Sequence, residues 1–347
     1  MKKVQIRSFV KGGNHGQYLQ AIGLAELVKR LLPDAEVTHM DYQNHFLKEL
    51  KIQTLSGLMP KFLAMRFYWQ KNLSYSRLDY KPDLSIYGSD MIWHLDSTTF
   101  PPDPIMFGEY DHAKVKISYA PSAGYRVDDE PDWVRRLLRG FLAFGVRDYS
   151  TASLVKDHCS VHPVLVIDPC FHLLKSKYSK WFVNQKRENY VSVYSPLTSS
   201  ISEAFIQDLD FDLLPPWIRE LKYVGYFPRK HFLRELYKQF TDPLWSVQQI
   251  ARSRLLVTST FHGVMMALMT KTPFIAVTSP NLIARLKSPI GDVFSEKRLM
   301  SIDELSLLTS AQVTRLLSDE DLDVAKLKTY IDDSESWLAS YMITDGN

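Results

Sequence analysis

The 347 residues include only two cysteines, Cys159 and Cys170, and almost no excess of charge: 42 Lys and Arg against 39 Asp and Glu, a formal +3. Two thiols are too few for a disulfide framework, and their spacing does not make a metal knuckle. They could form at most one bridge, and they suit a reducing compartment. A dedicated nucleic-acid binder concentrates basic residues far more strongly, so that class is excluded. No apolar run is long enough to cross a bilayer. The basic start Met1-Lys2-Lys3 runs into a strand pattern with no apolar h-region behind it, so no signal peptide is expected. These absences favour the cytoplasm and leave open a peripheral attachment at the inner membrane face. The stretch Gly12-Gly13-Asn14-His15-Gly16 lacks the G-x-G-x-x-G order, which excludes nicotinamide chemistry. His and Cys never cluster at ligand spacing, so no metal is expected. His158 and His162 lie four apart, but Pro163 argues against a helix there and for a surface loop. No short repeat or low-complexity tract occurs.

What is present is an ordinary globular mix, 45% hydrophobic and 23% charged, in a chain too long for one core. Strand-like runs alternate with helix-like ones. Val4 to Val10 reads as a strand, Tyr18 to Leu32 as a helix and Glu36 to Met40 as a strand, which is a βαβ unit and implies a parallel sheet. Tyr42 to Tyr80 is aromatic and basic, and reads as edge helices. Strands follow at Leu84–Tyr87, Val115–Tyr119, Phe141–Val146 and Val164–Ile167, with helices at 132–139 and 151–157. A polar linker spans 175–189. A second series begins at Tyr190, with helices at 201–209, 233–239 and 245–252, a strand at 254–257, a helix at 263–269 and a strand at 274–277. The tail from Asp303 to Tyr341 reads as helical. The predicted class is therefore α/β, with Rossmann-like domains at 1–180 and 188–320 and a helical tail at 321–347. Ligands of open parallel sheets bind beyond the carboxyl ends of the strands. Asn14, Asp90, Ser122, Arg147 and His262 all follow strands, which places a site between the two domains.

Ser259-Thr260-Phe261-His262-Gly263 follows the apolar strand Leu255–Val257 and opens a helix. Free N–H groups of a first turn suit phosphate or carboxylate. Gly263 would admit a ligand to the backbone, and His262 adds a proton donor or a cation. The plainer reading is a Ser/Thr cap followed by a packed histidine. Arg147 could grip an anion at two points or simply pair with Asp148 or another carboxylate. Asp90 could act as a base or accept from a sugar hydroxyl, and Ser89-Asp90 could equally be a helix cap. Asn14 and Gln20 could bind hydroxyls or fix their turn. Asp168-Pro169 reads as a structural turn. Tyr223 to His231 joins aromatics to basic groups, fitting either a glycan or lipid diphosphate, or a packed loop.

Thr258 to Leu268 followed by Lys271-Thr272-Pro273-Phe274-Ile275-Ala276 resembles the polysaccharide pyruvyl transferase family, in which Phe-His-Gly precedes an apolar helix. Asn14-His15-Gly16-Gln17-Tyr18-Leu19-Gln20, Gly88-Ser89-Asp90 with Trp93, Ser118-Tyr119-Ala120 with Gly124, Gly145-Val146-Arg147-Asp148 and Asp168-Pro169 are similar as well, in order, over about 4–280. The resemblance implies a GT-B-like pair of Rossmann domains. It also implies transfer of the enolpyruvyl group of phosphoenolpyruvate to two hydroxyls of a sugar, giving a ketal. His262, Arg147 and Asp90 would be catalytic. Ser259, Thr260, Gly263 and Arg147 would bind the donor, and Asn14, Gln17, Gln20 and Ser89 the acceptor. Phosphoenolpyruvate would be co-substrate with no further cofactor, and the acceptor a glycan or lipid-linked oligosaccharide. Two departures stand out. Thr260 takes a position that is Arg in many members, with Lys271, Arg229, Lys230 or Arg285 as substitutes, and Gln17 stands where Asp is frequent. A GT-B glycosyltransferase using a nucleotide sugar and a non-catalytic glycan binder are the alternatives.

Overall fold

Alternation makes Lys3–Arg7 (β1) a strand, with Val4 and Ile6 on one buried face. Its helix, α1 (His15–Leu31), starts at Asn14, whose side chain accepts from the Gly16 N–H at 2.8 Å. That cap opens the helix three residues before the apolar periodicity does, so His15, Gly16 and Gln17 lie inside its first turn. Lys29 and Arg30 occupy the last turn, where cations complement the helix dipole.

The computed structural model describes residues 1–43, 47, 50, 51, 54, 59–95, 101–124, 130–183, 185–196, 220–226, 242–318 and 321–342. The helices expected at 201–209 and 233–239, and residues 227–231, lie outside these. The first series continues with β2 (Glu36–Met40), α2 (Met59–Asn72), β3 (Tyr75–Ser76), β4 (Leu84–Tyr87), β5 (Val115–Tyr119), α3 (Asp132–Leu138), β6 (Ala143–Val146), α4 (Tyr149–His158) and β7 (Val164–Leu165). These strands form one sheet in the order β3-β2-β1-β4-β5-β6-β7, every pair parallel. The 3₁₀ turn Pro169–Lys175 ends where the expected linker starts, and a second, Ser179–Trp181, lies within it, with Phe182 buried behind them.

The second series holds β8 (Tyr190–Tyr194), β9 (Glu220–Tyr223), α5 (Pro243–Arg252), β10 (Leu255–Thr258), α6 (Phe261–Thr270), β11 (Phe274–Val277), α7 (Pro280–Leu286), β12 (Leu299–Met300), α8 (Ile302–Ser306), α9 (Ser310–Leu316) and α10 (Val324–Met342). Its sheet runs β12-β11-β10-β8-β9, again all parallel. Side chains alternate across it: Leu256 packs inward with α6, while Leu255 and Val257 face α8 and α9. The tail is helical as expected, as α8, α9 and α10 among the described residues. Ser301 with Glu304 and Thr309 with Gln312 form capping boxes that start α8 and α9.

One apolar core joins both series. It holds Val4 and Ile6 of β1, the inner faces of α1, α5 and α6, and Leu327, Ile331 and Leu338 of α10. Helix α10 thus returns to the first sheet. Ser334 accepts from the Ile167 N–H at 2.9 Å, and Trp337 packs on Gly145. Both cysteines are free thiols. Among the described residues, no helix is long and apolar enough to cross a membrane.

Candidate functional site

Helix α6 is buried along its whole length, as a helix between two sheets must be. Thr260 is its N-cap and accepts from the Gly263 N–H at 3.0 Å. Thr258 Oγ1 binds the Tyr194 carbonyl at 2.7 Å and lies 3.1 Å from Thr260 Oγ1. Ser259 Oγ meets Ser195 Oγ at 2.8 Å. The hydroxyls expected to hold a donor therefore satisfy one another and the strand ends beneath them. Gly263 does not open the backbone to a ligand, as the sequence suggested. Its Cα packs on the Thr258 side chain, where a Cβ would collide. Phe261 and His262 are left as the first-turn N–H donors without a partner among the described residues.

His262 points toward the first series and lies against Gly16, where again a Cβ would have no room. Its Nε2 meets the side-chain amide of Gln20. The same amide donates to Asp168 Oδ2 at 3.0 Å, and Gln20 Oε1 accepts from Ser89 Oγ at 2.9 Å. With the amide donating, His262 Nε2 is the acceptor and its proton resides on Nδ1, an assignment made from the hydrogen bonds. Burial is the main cause that lowers the His262 pKa to about 4, with Arg147 and Arg285 adding to it and Asp168 and Asp90 opposing. Burial thus favours the uncharged imidazole at neutral pH over the cation, one of the two forms the sequence left open.

Arg147 follows β6 and is 1% exposed. Its Nη1 pairs with Asp168 Oδ2 at 2.9 Å, and its guanidinium lies 4.6 Å from the Phe261 ring centre. The partner is thus Asp168, not the neighbouring Asp148, whose Oδ1 caps α4 by accepting from the Thr151 N–H. Asp168 was read as a turn residue alone. It does cap the following 3₁₀ turn through Cys170 at 3.0 Å, and its other oxygen joins Arg147 to Gln20. Burial pushes its pKa up, but Arg147, His262 and the Cys170 hydrogen bonds outweigh this and hold it below the ordinary carboxylate value. An acidic residue directly after a strand, like Arg147 after its own, was the available signal.

Asp90 neither starts a helix nor bonds Gln20. It sits at φ +80° beside Pro121, and its Oδ1 accepts from the Met91 N–H at 2.8 Å. A non-glycine in the left-handed region costs of order 1–3 kcal/mol, which is commoner where position matters. Asn14 is the α1 cap, and Gln17 is half-buried on the same turn. Lys271 ends α6 at its far C-terminus, too distant to replace an Arg at position 260. Arg285 of α7 does approach, 5.5 Å from the Phe261 ring centre. Arg229 and Lys230 lie outside the described residues.

Ser89 after β4, Gln20 of α1, Arg147 after β6, Asp168 after β7 and His262 after β10 therefore meet where the carboxyl ends of the two sheets converge. No curated protein gives a significant match. In fold, the chain is similar to S. aureus MnaA in complex with UDP, at 12% identity over 100% of this chain and 99% of that one, TM-score 0.53. It is also similar to the Neisseria meningitidis UDP-GlcNAc 2-epimerase bound to UDP-GlcNAc, at 9% identity over 99% and 100%, TM-score 0.52. Both likenesses are of fold, a GT-B-like pair of parallel α/β sheets. Residues 14–281, which include every member of the His262 cluster, match the polysaccharide pyruvyl transferase family, and the chain belongs to it.

Proposed function

We propose that the protein transfers the pyruvyl group of phosphoenolpyruvate to two hydroxyls of a sugar in a polysaccharide or its lipid-linked precursor, forming a cyclic ketal. Family membership over 14–281 carries this reading, and the buried histidine at the α6 N-terminus supports it. The donor's methylene carbon gains a proton and becomes a methyl group. Its C2 forms one bond to each sugar oxygen while the C2–O bond to phosphate breaks. Of the two hydroxyl protons released, one balances the methyl group and the other leaves on phosphate. His262 is suited to deliver the methylene proton. Its ring is neutral before substrate binds, but a phosphate dianion beside it raises its pKa. Donor binding itself then loads the proton. The first-turn N–H groups of α6 would steady the departing phosphate. Asp90 would accept from a sugar hydroxyl, and Asn14 and Gln17 would line the acceptor side.

General acid catalysis of this kind contributes ~10²–10⁴-fold. His262→Ala should lower turnover by that order while the variant stays folded. Near-normal rates would sink the assignment. The likeness to UDP-bound folds favours a second reading, a GT-B enzyme using a nucleotide sugar. Phosphate release with phosphoenolpyruvate and acceptor supports the first reading, and nucleoside diphosphate release the second. Glycan binding with neither release would mark a non-catalytic relative.

A further inference from the structure

Lys61 is a buried amine with no counter-ion among the described residues. It lies on α2, is 2% exposed, and has no carboxylate partner among the described residues. Its Nζ sits 4.2 Å from the ring centre of Tyr226, which follows β9 in the second series. Tyr226 packs edge-on against Tyr194 at 5.0 Å, and Gly225 lies against both Tyr194 and His15. His15 is 3% exposed and its Nδ1 has no hydrogen-bond partner. Burial, and then the Lys61 charge, keep His15 neutral. The Lys61 amine, over the Tyr226 ring, and the unpartnered His15 Nδ1 thus lie together beside the α1 N-terminus, between the two series. His15 is followed directly by Gly16, the residue against which His262 packs.

Leaving an ammonium unpaired away from water is costly, and the group normally finds an anion or loses its proton. Burial alone lowers the Lys61 pKa to about 7, so the amine is poised to be charged by an arriving anion. We infer that Lys61, with His15, binds the anionic end of the small-molecule donor. The ligand class is a phosphate- or carboxylate-bearing small molecule, held within one residue of the His262 contact. This rests on the reading that the protein is a transferase with an anionic donor, and it assigns Lys61 the charge that Thr260 does not supply. Tyr226, from the other half, makes the site complete only when both series are docked.

Lys61→Met tests it on the full chain, because replacing an unpaired buried amine with an apolar group of similar length leaves packing intact. Calorimetric titration is run with phosphoenolpyruvate, inorganic phosphate and UDP. The expected result is at least a tenfold weaker affinity for phosphoenolpyruvate and phosphate, with an unchanged or raised thermal midpoint. Should the parent bind UDP instead, and Lys61→Met weaken that tenfold, the anion site stands and the phosphoenolpyruvate reading falls. Parental affinity in the variant, or a parent that binds none of the three, overturns the inference. If Lys61→Met does not fold, Lys61→Gln and His15→Gln serve in its place under the same criteria.

Discussion

Acidification from pH 7 to pH 5 should remove roughly 5–6 kcal/mol of folding stability through three histidines. Burial holds His39 and His172 at a pKa of about 3 and His262 at about 4, against an ordinary value of 6.5. In the unfolded chain each imidazole takes up a proton as the pH falls through 6.5. In the folded chain each stays neutral until about 4 or below. The unfolded state therefore binds more protons across this window, and stability rises with pH between the folded and unfolded values. The contribution is fully present above 6.5 and is lost as the pH falls toward the folded pKa. At pH 5 each ring costs about 2 kcal/mol relative to pH 7. At about 2–4 °C per kcal/mol, the midpoint should fall by roughly 10–20 °C. Asp168, whose carboxyl is depressed, contributes its own loss only at lower pH. Urea denaturation at pH 5, 6 and 7, at fixed ionic strength, measures the effect in the parent and in His262→Asn. The variant should lose about 2 kcal/mol less than the parent over this range, the contribution of one such ring; His15, also held low by burial, contributes to both proteins alike. A parental loss under about 2 kcal/mol, or identical slopes in the two proteins, would refute the neutral buried state of His262.

Two further outcomes follow from the same cluster. Arg147→Met should destabilise the fold by about 3–5 kcal/mol, because it strands the Asp168 charge in the interior, and Arg147→Met with Asp168→Leu should recover most of the loss in a thermal scan. An additive double variant would mean the pair is not coupled. Thr260→Val keeps the shape but removes the cap on Gly263, at a cost of about 0.5–2 kcal/mol, and an unchanged midpoint would show that the cap contributes nothing.

The central strands were legible because apolar alternation and length set them apart, as in Leu84–Tyr87 and Leu255–Thr258. The edge strands Tyr75–Ser76, Glu220–Tyr223 and Leu299–Met300 were not, because two to four half-buried residues carry no period. Start signals were more informative than periodicity at two places. Asn14 opens α1 early, and the Ser301/Glu304 and Thr309/Gln312 boxes mark where two of the helices in the helical tail begin. At the site, the position of each chemical group after its strand was readable, but its partner was not. Gln20 was read as binding hydroxyls or fixing its turn; that its amide links His262, Asp168 and Ser89 was not seen. That choice depends on which strand ends converge in space. Lys61 carried no signal at all, lying in an aromatic and basic stretch where burial of one lysine leaves no mark in the pattern.

If, as the resemblance implies, many members carry an arginine at the position of Thr260, this chain would draw an anion elsewhere. Two guanidinium groups, Arg147 and Arg285, act on His262, but so do two carboxylates, Asp168 and Asp90. Arg147 is moreover committed to Asp168. The charges next to the imidazole thus cancel in number, so a phosphate there would be held by the α6 first-turn N–H groups more than by net charge. On the His15 side, the Lys61 amine faces Tyr226 with no carboxylate partner among the described residues. A donor bearing both a phosphate and a carboxylate would be pulled toward that amine by charge. Its reacting carbon would then be left against the neutral ring of His262, which gains its proton only once the anion has arrived. Binding and protonation would on this account be one coupled event, with the anchoring charge moved from the α6 cap to the other side of the interdomain contact.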